Sequence, residues 1–123
     1  MIFDTGALIA AERDDRSFWV LYELARRQSV VPIVLTPVLT EVWRGGARQA
    51  RLSIALRGCK ILAPDERLAK AAGVLLAKSH SDDPVDALVA ALGAQLSDLV
   101  VTGDEGDLRH LAAFAKGCRI KGL

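Results

Sequence analysis

The chain has 123 residues, which is the length of one domain and is enough to bury a sizeable core. Its net charge of +1, with both signs spread along the chain, excludes bulk positive charge as a means of binding nucleic acid. Its two cysteines, without a CxxC motif, argue against a zinc site and against a disulfide scaffold.

Short apolar runs alternate with segments of helical periodicity. In chain order they predict strand 1–3, helices 5–13 and 15–28, strand 30–35, helices 37–44 and 47–57, strand 59–62, helices 64–79 and 84–96, strand 99–102, helix 105–116 and strand 119–121. Thr5, Thr36 and Asp83 are expected to cap the helices that follow them. This alternation predicts one α/β domain over residues 1–123 with a parallel central sheet. With no signal peptide and no apolar run of membrane length, we expect a cytoplasmic protein.

Two acidic residues follow predicted strands directly or nearly so. Asp4 comes after the first strand, and Asp104 follows the strand 99–102 by two residues, with Gly103 permitting a tight turn. Ligands of parallel sheets bind at the carboxyl ends of the strands, where both acids are expected to lie. The alternative is that Asp4 and Asp104 only cap helices, and spacing leaves both interpretations open.

Two further acids share helix faces with apolar residues. Glu41 is expected on the face of Val38 and Val42, and Asp86 on the face of Val89. A carboxylate on an apolar face is costly unless something compensates it. A hard cation such as Mg²⁺ or Mn²⁺ would remove the repulsion among converging carboxylates and could activate water to hydrolyse a phosphodiester.

Four short motifs occur in an order that resembles a known family. They are MIFDTGALIA at 1–10, TPVLTE at 36–41, DALVAA at 86–91 and VTGDEGDL at 101–108. Together they resemble the PIN-domain ribonucleases, especially the VapC-type toxins of bacterial toxin–antitoxin pairs, and the resemblance covers the whole chain. It implies a Rossmann-like, three-layer PIN fold with strand order 3-2-1-4-5. It also implies a metal-dependent endoribonuclease restrained by a cognate VapB-type antitoxin.

The resemblance also assigns roles to individual residues. The catalytic set it implies is Asp4, Glu41, Asp86 and Asp104, with Asp107 as a fifth member. Asp4, Asp86 and Asp104 would bind Mg²⁺ or Mn²⁺, and Glu41 would orient water or a second ion. Thr5 and Thr102 flank the site and would bond a carboxylate or a phosphate. Asp83 stands close to the third motif, but before Pro84 it is typical of a helix cap.

Two surface features have a functional and a structural interpretation. Arg44, Arg48 and Arg51 would form one basic stripe if the helix continues past Gly45 and Gly46, and the stripe would either hold RNA phosphates or be a solvated face. The apolar stretch 7–24 is expected to form an antitoxin groove or the interface of a homodimer.

Two other classes of protein compete with the nuclease. A receiver domain has a similar length and an acidic Mg²⁺ pocket, but it needs paired acids after the first strand and a lysine after a late strand. Here a single Asp4 precedes Thr5, and no lysine occupies the matching turn. A PIN-like module that binds RNA or protein without catalysis would not need the full acidic set.

Overall fold

Five short parallel strands form one sheet in the computed structural model, which describes residues 1–123. The strands are β1 (Ile2–Phe3), β2 (Ile33–Leu35), β3 (Lys60–Leu62), β4 (Leu99–Thr102) and β5 (Arg119–Gly122). The helices are α1 (Thr5–Glu12), α2 (Arg16–Arg27), α3 (Thr36–Val42), α4 (Ala50–Arg57), α5 (Glu66–Ser79), α6 (Pro84–Leu96) and α7 (Glu105–Ala112). A short 3₁₀ helix, Ala47–Gln49, precedes α4. The predicted α/β class and parallel sheet are confirmed.

The strand order β3-β2-β1-β4-β5 is also confirmed. Ile2 of β1 pairs with Ile33 on one side and with Val100 on the other. After β1, the chain adds β2 and β3 on one side of it and then adds β4 and β5 on the other side. The boundary between β1 and β4 is the switch point at which parallel sheets open a crevice for ligands.

The helices form two packed groups that flank the sheet. Helix α1 contacts α2, α3 and α4, whereas α5, α6 and α7 pack against one another. The core includes both residues of β1 and the aromatic pair Phe3 and Phe18, whose ring centroids lie 5.1 Å apart. Burial of apolar area provides most of the free energy that holds such layers together. None of the helices combines the length and the apolar character that crossing a bilayer requires.

Several predicted boundaries are wrong, and at three of them the backbone hydrogen bonds show why. Strand 30–35 begins only at Ile33, since the Val30 N–H donates to Ala25 at the end of α2 and Pro32 has no N–H. Helix 105–116 ends at Ala112, where the chain tightens into turns such as Ala115 to Ala112. Strand 59–62 begins only at Lys60, since the Cys59 N–H donates to the Leu56 carbonyl at the end of α4.

Two predicted caps and the basic stripe are also wrong. The residues at the caps of α1 and α3 are Asp4 and Leu35, so Thr5 and Thr36 begin the helices that they were expected to cap. Helix α3 ends at Val42 and Gly45 has a φ of +78°, so the chain leaves the helix before Arg44. The bounds of α6 and its cap, Asp83, are as predicted.

The three arginines of the expected stripe therefore lie on three different segments. Arg44 is in the loop after α3, Arg48 is in the 3₁₀ helix and Arg51 is in α4. Arg51 instead pairs with Asp14 at 3.4 Å. No continuous helical face carries them, and a basic patch of that shape is absent.

Candidate functional site

Asp4 is a buried carboxylate at the end of the innermost strand. Its side chain is 4% exposed and accepts a hydrogen bond of 2.8 Å from the Ala7 N–H, which makes it the cap of α1. Burial, with a smaller contribution from the nearby charge of Asp104, raises the pKa of Asp4 to about 6, although hydrogen bonds from Thr102 and the Ala7 N–H oppose the rise. Asp4 is thus a helix cap whose ionised form is disfavoured by burial.

Asp86 lies in the first turn of α6 and is half-buried. Burial raises its pKa to about 7, and the charges of Asp83, Asp4, Glu41 and Asp107 add to the effect in that order. Charges affect one another's pKa over short distances in partly desolvated surroundings. Acids at the end of β1, in α3 and in α7 are therefore near enough to act on the charge of Asp86.

Asp104 follows β4 and caps α7 by accepting from the Gly106 N–H at 3.3 Å. The fully buried Thr102 makes two hydrogen bonds with the backbone of Asp104. Its hydroxyl accepts from the Asp104 N–H at 3.0 Å and donates to the Asp104 carbonyl at 2.8 Å. The carboxylate remains exposed. Thr102 therefore fixes an acid of the site through its backbone.

Glu41 is exposed, so the expectation that it lies on an apolar helix face is wrong. Helix α3 buries Val38 and Val42 instead and turns Glu41 outward. The Thr5 hydroxyl, in the first turn of α1, donates to Glu41 Oε1. This bond connects the helix that follows β1 with the helix that follows β2, and it directs Glu41 toward the acids.

The two arginines proposed to bind substrate lie on an exposed loop and on the 3₁₀ helix. Arg44 Nη1 donates to the carbonyls of Thr40 and Trp43, at 3.3 and 2.8 Å, and so binds the end of α3. No hydrogen bond or ion pair joins Arg44 or Arg48 to the acids. The loop itself is held by a buried side chain, Gln49, whose amide oxygen accepts from the Arg44 and Gly45 N–H groups.

Sequence reasoning missed Gln49 and the part played by Gly6. The Gln49 amide also donates to Glu12 and to the Val42 carbonyl, so every polar atom of this buried side chain is satisfied. Gly6 lies against Gly103, and a Cβ atom at Gly6 would come within 2.9 Å of the Gly103 nitrogen. The only available signal was a glycine two residues after an acid, a spacing that ordinary turns also use.

The acids fit a divalent cation by their chemistry. They offer only carboxylate oxygens, which hard cations prefer, and Asp4 and Asp86 have raised pKa values mainly because they are buried and, to a smaller extent, because other carboxylates lie nearby. A bound cation would reverse this penalty by stabilising the ionised forms. As the side chains stand, no three His, Cys, Asp or Glu residues are grouped closely enough to hold a metal ion.

Comparisons with known proteins agree with this architecture. The family model described as PIN domain matches residues 1–113. The chain is similar to one in the crystal structure of VapBC2 from Rickettsia felis bound to a DNA fragment from their promoter, with a TM-score of 0.77 and 17% identity, over 100% of this chain and 99% of that chain. Among curated proteins, none matches. At this identity the structural likeness shows the fold.

Proposed function

The chain belongs to the PIN domain family, and from that premise we propose that it is a metal-dependent endoribonuclease. PIN domains are generally nucleases. The observation that carries the proposal is the proximity of Asp4, Glu41 and Asp86 at the switch point of the sheet, where burial, followed by the charges of Asp83, Asp4 and Glu41, raises the pKa of Asp86 to about 7. A structural role alone gives no reason to crowd carboxylates at this place.

The carboxylates of Asp4, Asp86 and Asp104 would hold Mg²⁺ or Mn²⁺. Such an ion polarises a phosphodiester and lowers the pKa of bound water, which removes the need for a nucleophilic side chain. Glu41, positioned by Thr5, would orient the attacking water, and Asp107 would add negative charge at the rim. The buried Thr102 would keep Asp104 in place, while Arg44 and Arg48 would hold RNA phosphates beside the acids.

We further propose that this nuclease is the toxin of a VapBC-type pair and acts on RNA in the cytoplasm. The support is the likeness to a chain of the VapBC2 complex and the apolar side chains that α2 leaves uncovered. Val20 is 60% and Leu24 48% exposed, and both line a groove of about 660 Å³ with Leu123. A VapB-type antitoxin segment or a second copy of the chain would cover this face.

The test is cleavage of RNA by the purified chain with Mg²⁺ or Mn²⁺, compared with Asp4→Asn and Asp86→Asn. Both substitutions remove a charge and keep the size of the side chain, and asparagine still caps α1. We expect metal-dependent cleavage that both variants lose. Undiminished cleavage by both variants would refute the assignment of the site.

A non-catalytic module that binds RNA or protein is the second candidate. It is favoured by the lack of a preformed group of three metal-binding side chains. Absence of cleavage of any total or structured RNA, with the fold intact, would support it. The receiver-domain alternative does not agree with the family match and is set aside.

A further inference from the structure

The turns that follow β1 and β4 touch through two glycines. A Cβ atom on Gly6 would lie 2.9 Å from the Gly103 nitrogen, and one on Gly103 would lie 2.8 Å from the Gly6 carbonyl oxygen. Real Cβ atoms essentially never approach so closely, and the obstacles are backbone atoms that no rotamer change can move. Neither residue has a positive φ, so the contact and not the conformation is what requires glycine.

Each glycine lies close to a carboxylate of the proposed metal site. Asp4 precedes Gly6 by two residues, and Asp104 directly follows Gly103. The Ala7 N–H fixes the Asp4 side chain within its turn, and Thr102 fixes the Asp104 backbone within the other. Because consecutive Cα atoms are only about 3.8 Å apart, the distance between the turns sets the distance between the acids.

We propose that the contact between Gly6 and Gly103 is a positioning device, which sets the separation of Asp4 and Asp104 and thereby the affinity for a divalent cation. The inference rests on the proposed metal-dependent function and assigns positioning roles to two residues without functional groups. A side chain at either position would force the turns apart. The carboxylates would then reach one cation only by deforming the strands that carry them.

The test measures Mn²⁺ binding to the full chain by electron paramagnetic resonance, in the absence of RNA. Gly6→Ala and Gly103→Ala are compared with Gly46→Ala and Gly73→Ala, where an added Cβ meets nothing within 4 Å. We expect the first two variants to bind Mn²⁺ roughly ten- to a hundredfold more weakly, the range typical when groups that orient metal ligands are lost. The two controls should bind as the unmodified chain does.

The outcomes separate the inference from the function on which it rests. If the unmodified chain does not bind Mn²⁺, the proposed function fails and the inference fails with it. If it binds and both Gly6→Ala and Gly103→Ala bind equally well, only the positioning role is refuted. A lower melting temperature with unchanged Mn²⁺ affinity would show a merely structural contact and would also refute it.

If the glycine variants do not fold, a measurement on the unmodified chain can still test the proposal. A cation held between Asp4 and Asp104 should broaden the amide signals of Gly6 and Gly103 together in nuclear magnetic resonance spectra. Both should broaden at lower Mn²⁺ concentrations than the signals of Gly46 and Gly73. Broadening of these two signals only at the Mn²⁺ concentrations that also broaden those of Gly46 and Gly73 would overturn the proposal.

Discussion

The first turns of α1 and α2 are built alike but differ in electrostatics. Asp4 accepts from the Ala7 N–H and Asp15 from the Phe18 N–H, each three residues ahead. Burial raises the pKa of Asp4 to about 6, whereas the Ser17 hydroxyl and the Phe18 N–H lower the pKa of Asp15 on the surface. A helix cap and an acid with a raised pKa are thus not alternatives, because Asp4 is both.

The neighbouring hydroxyls repeat the contrast. Ser17 donates to Asp15 within its own turn, but Thr5 donates across to Glu41 on another helix. At α2 each polar group is used locally, and the turn is complete in itself. At α1 the Thr5 hydroxyl bonds a residue of another helix, which is the arrangement expected where several elements contribute to one site.

The largest expected effect is on RNA cleavage. Asp4→Asn should lower the rate roughly a hundredfold or more, since a metal ion supplies several kcal/mol of transition-state stabilisation and this variant removes a ligand charge. Asp15→Asn makes the same chemical change in the matching turn and should leave the rate unchanged. Equal losses in both variants would show that the cap, and not the charge, matters.

The next effect is on stability in the absence of metal. The pKa of Asp86 is raised from 3.8 to about 7 in the folded chain, so the folded state binds the proton more tightly. Stability should therefore fall as the pH rises from 4 to 7, and Asp86→Asn should remove much of that fall.

At pH 8 with EDTA, Asp86→Asn should stabilise the chain by about 1–3 kcal/mol, since one pKa unit corresponds to about 1.4 kcal/mol and solvent screening of this half-buried carboxylate removes part of the penalty. Urea unfolding of both proteins at several pH values measures this. A variant less stable than the unmodified chain at pH 8 would mean that the acids do not repel one another as described.

A smaller effect on RNA cleavage is expected from the hydrogen bond between Thr5 of α1 and Glu41 of α3. Thr5→Val keeps the shape of the side chain and removes the hydroxyl that donates to Glu41. Cleavage should fall about three- to tenfold, since a hydrogen bond to a charged group contributes about 1.5–3 kcal/mol and water replaces part of it. Thr5→Ser restores the donor and should recover the rate. Failure of serine to do so would exclude an orienting hydroxyl.

The smallest effect should come from the turn of α2. The lowered pKa of Asp15 means that its carboxylate stabilises the folded chain above the unfolded pKa and that this contribution is lost on acidification. Asp15→Ala should lower the melting temperature slightly at pH 7 and less at pH 3. Thermal unfolding followed by circular dichroism compares the two values. An equal decrease at both pH values would contradict an ionised cap.

Local patterns were enough to predict α6, from Pro84 to Leu96 with Asp83 as its cap, and β4, from Leu99 to Thr102. They were also enough to select Asp86, because an acid among buried alanines and valines conflicts with its own helix face. The same argument selected Glu41 for a wrong reason, since α3 is short and turns that residue to solvent. The choice of Glu41 by motif does not depend on the helix face and stays a prediction.

The features of the site that could not be predicted from the sequence depend on which strands become neighbours. Asp4 is buried because β1 lies between β2 and β4, and Gly6 touches Gly103 because those strands end side by side. Both facts join positions almost a whole chain apart. The break after Val42 likewise depends on Gln49, which captures the Arg44 and Gly45 N–H groups that a longer helix would have used.

The most direct test of the account is the position of Mn²⁺ in crystals of the unmodified chain, located by anomalous X-ray diffraction. The account predicts a peak bounded by the carboxylates of Asp4, Asp86 and Asp104 at the carboxyl ends of β1 and β4. The peak should be absent from crystals of Asp4→Asn and retained in Asp15→Asn. No peak at these carboxylates, at Mn²⁺ concentrations that support RNA cleavage, would contradict the central claim.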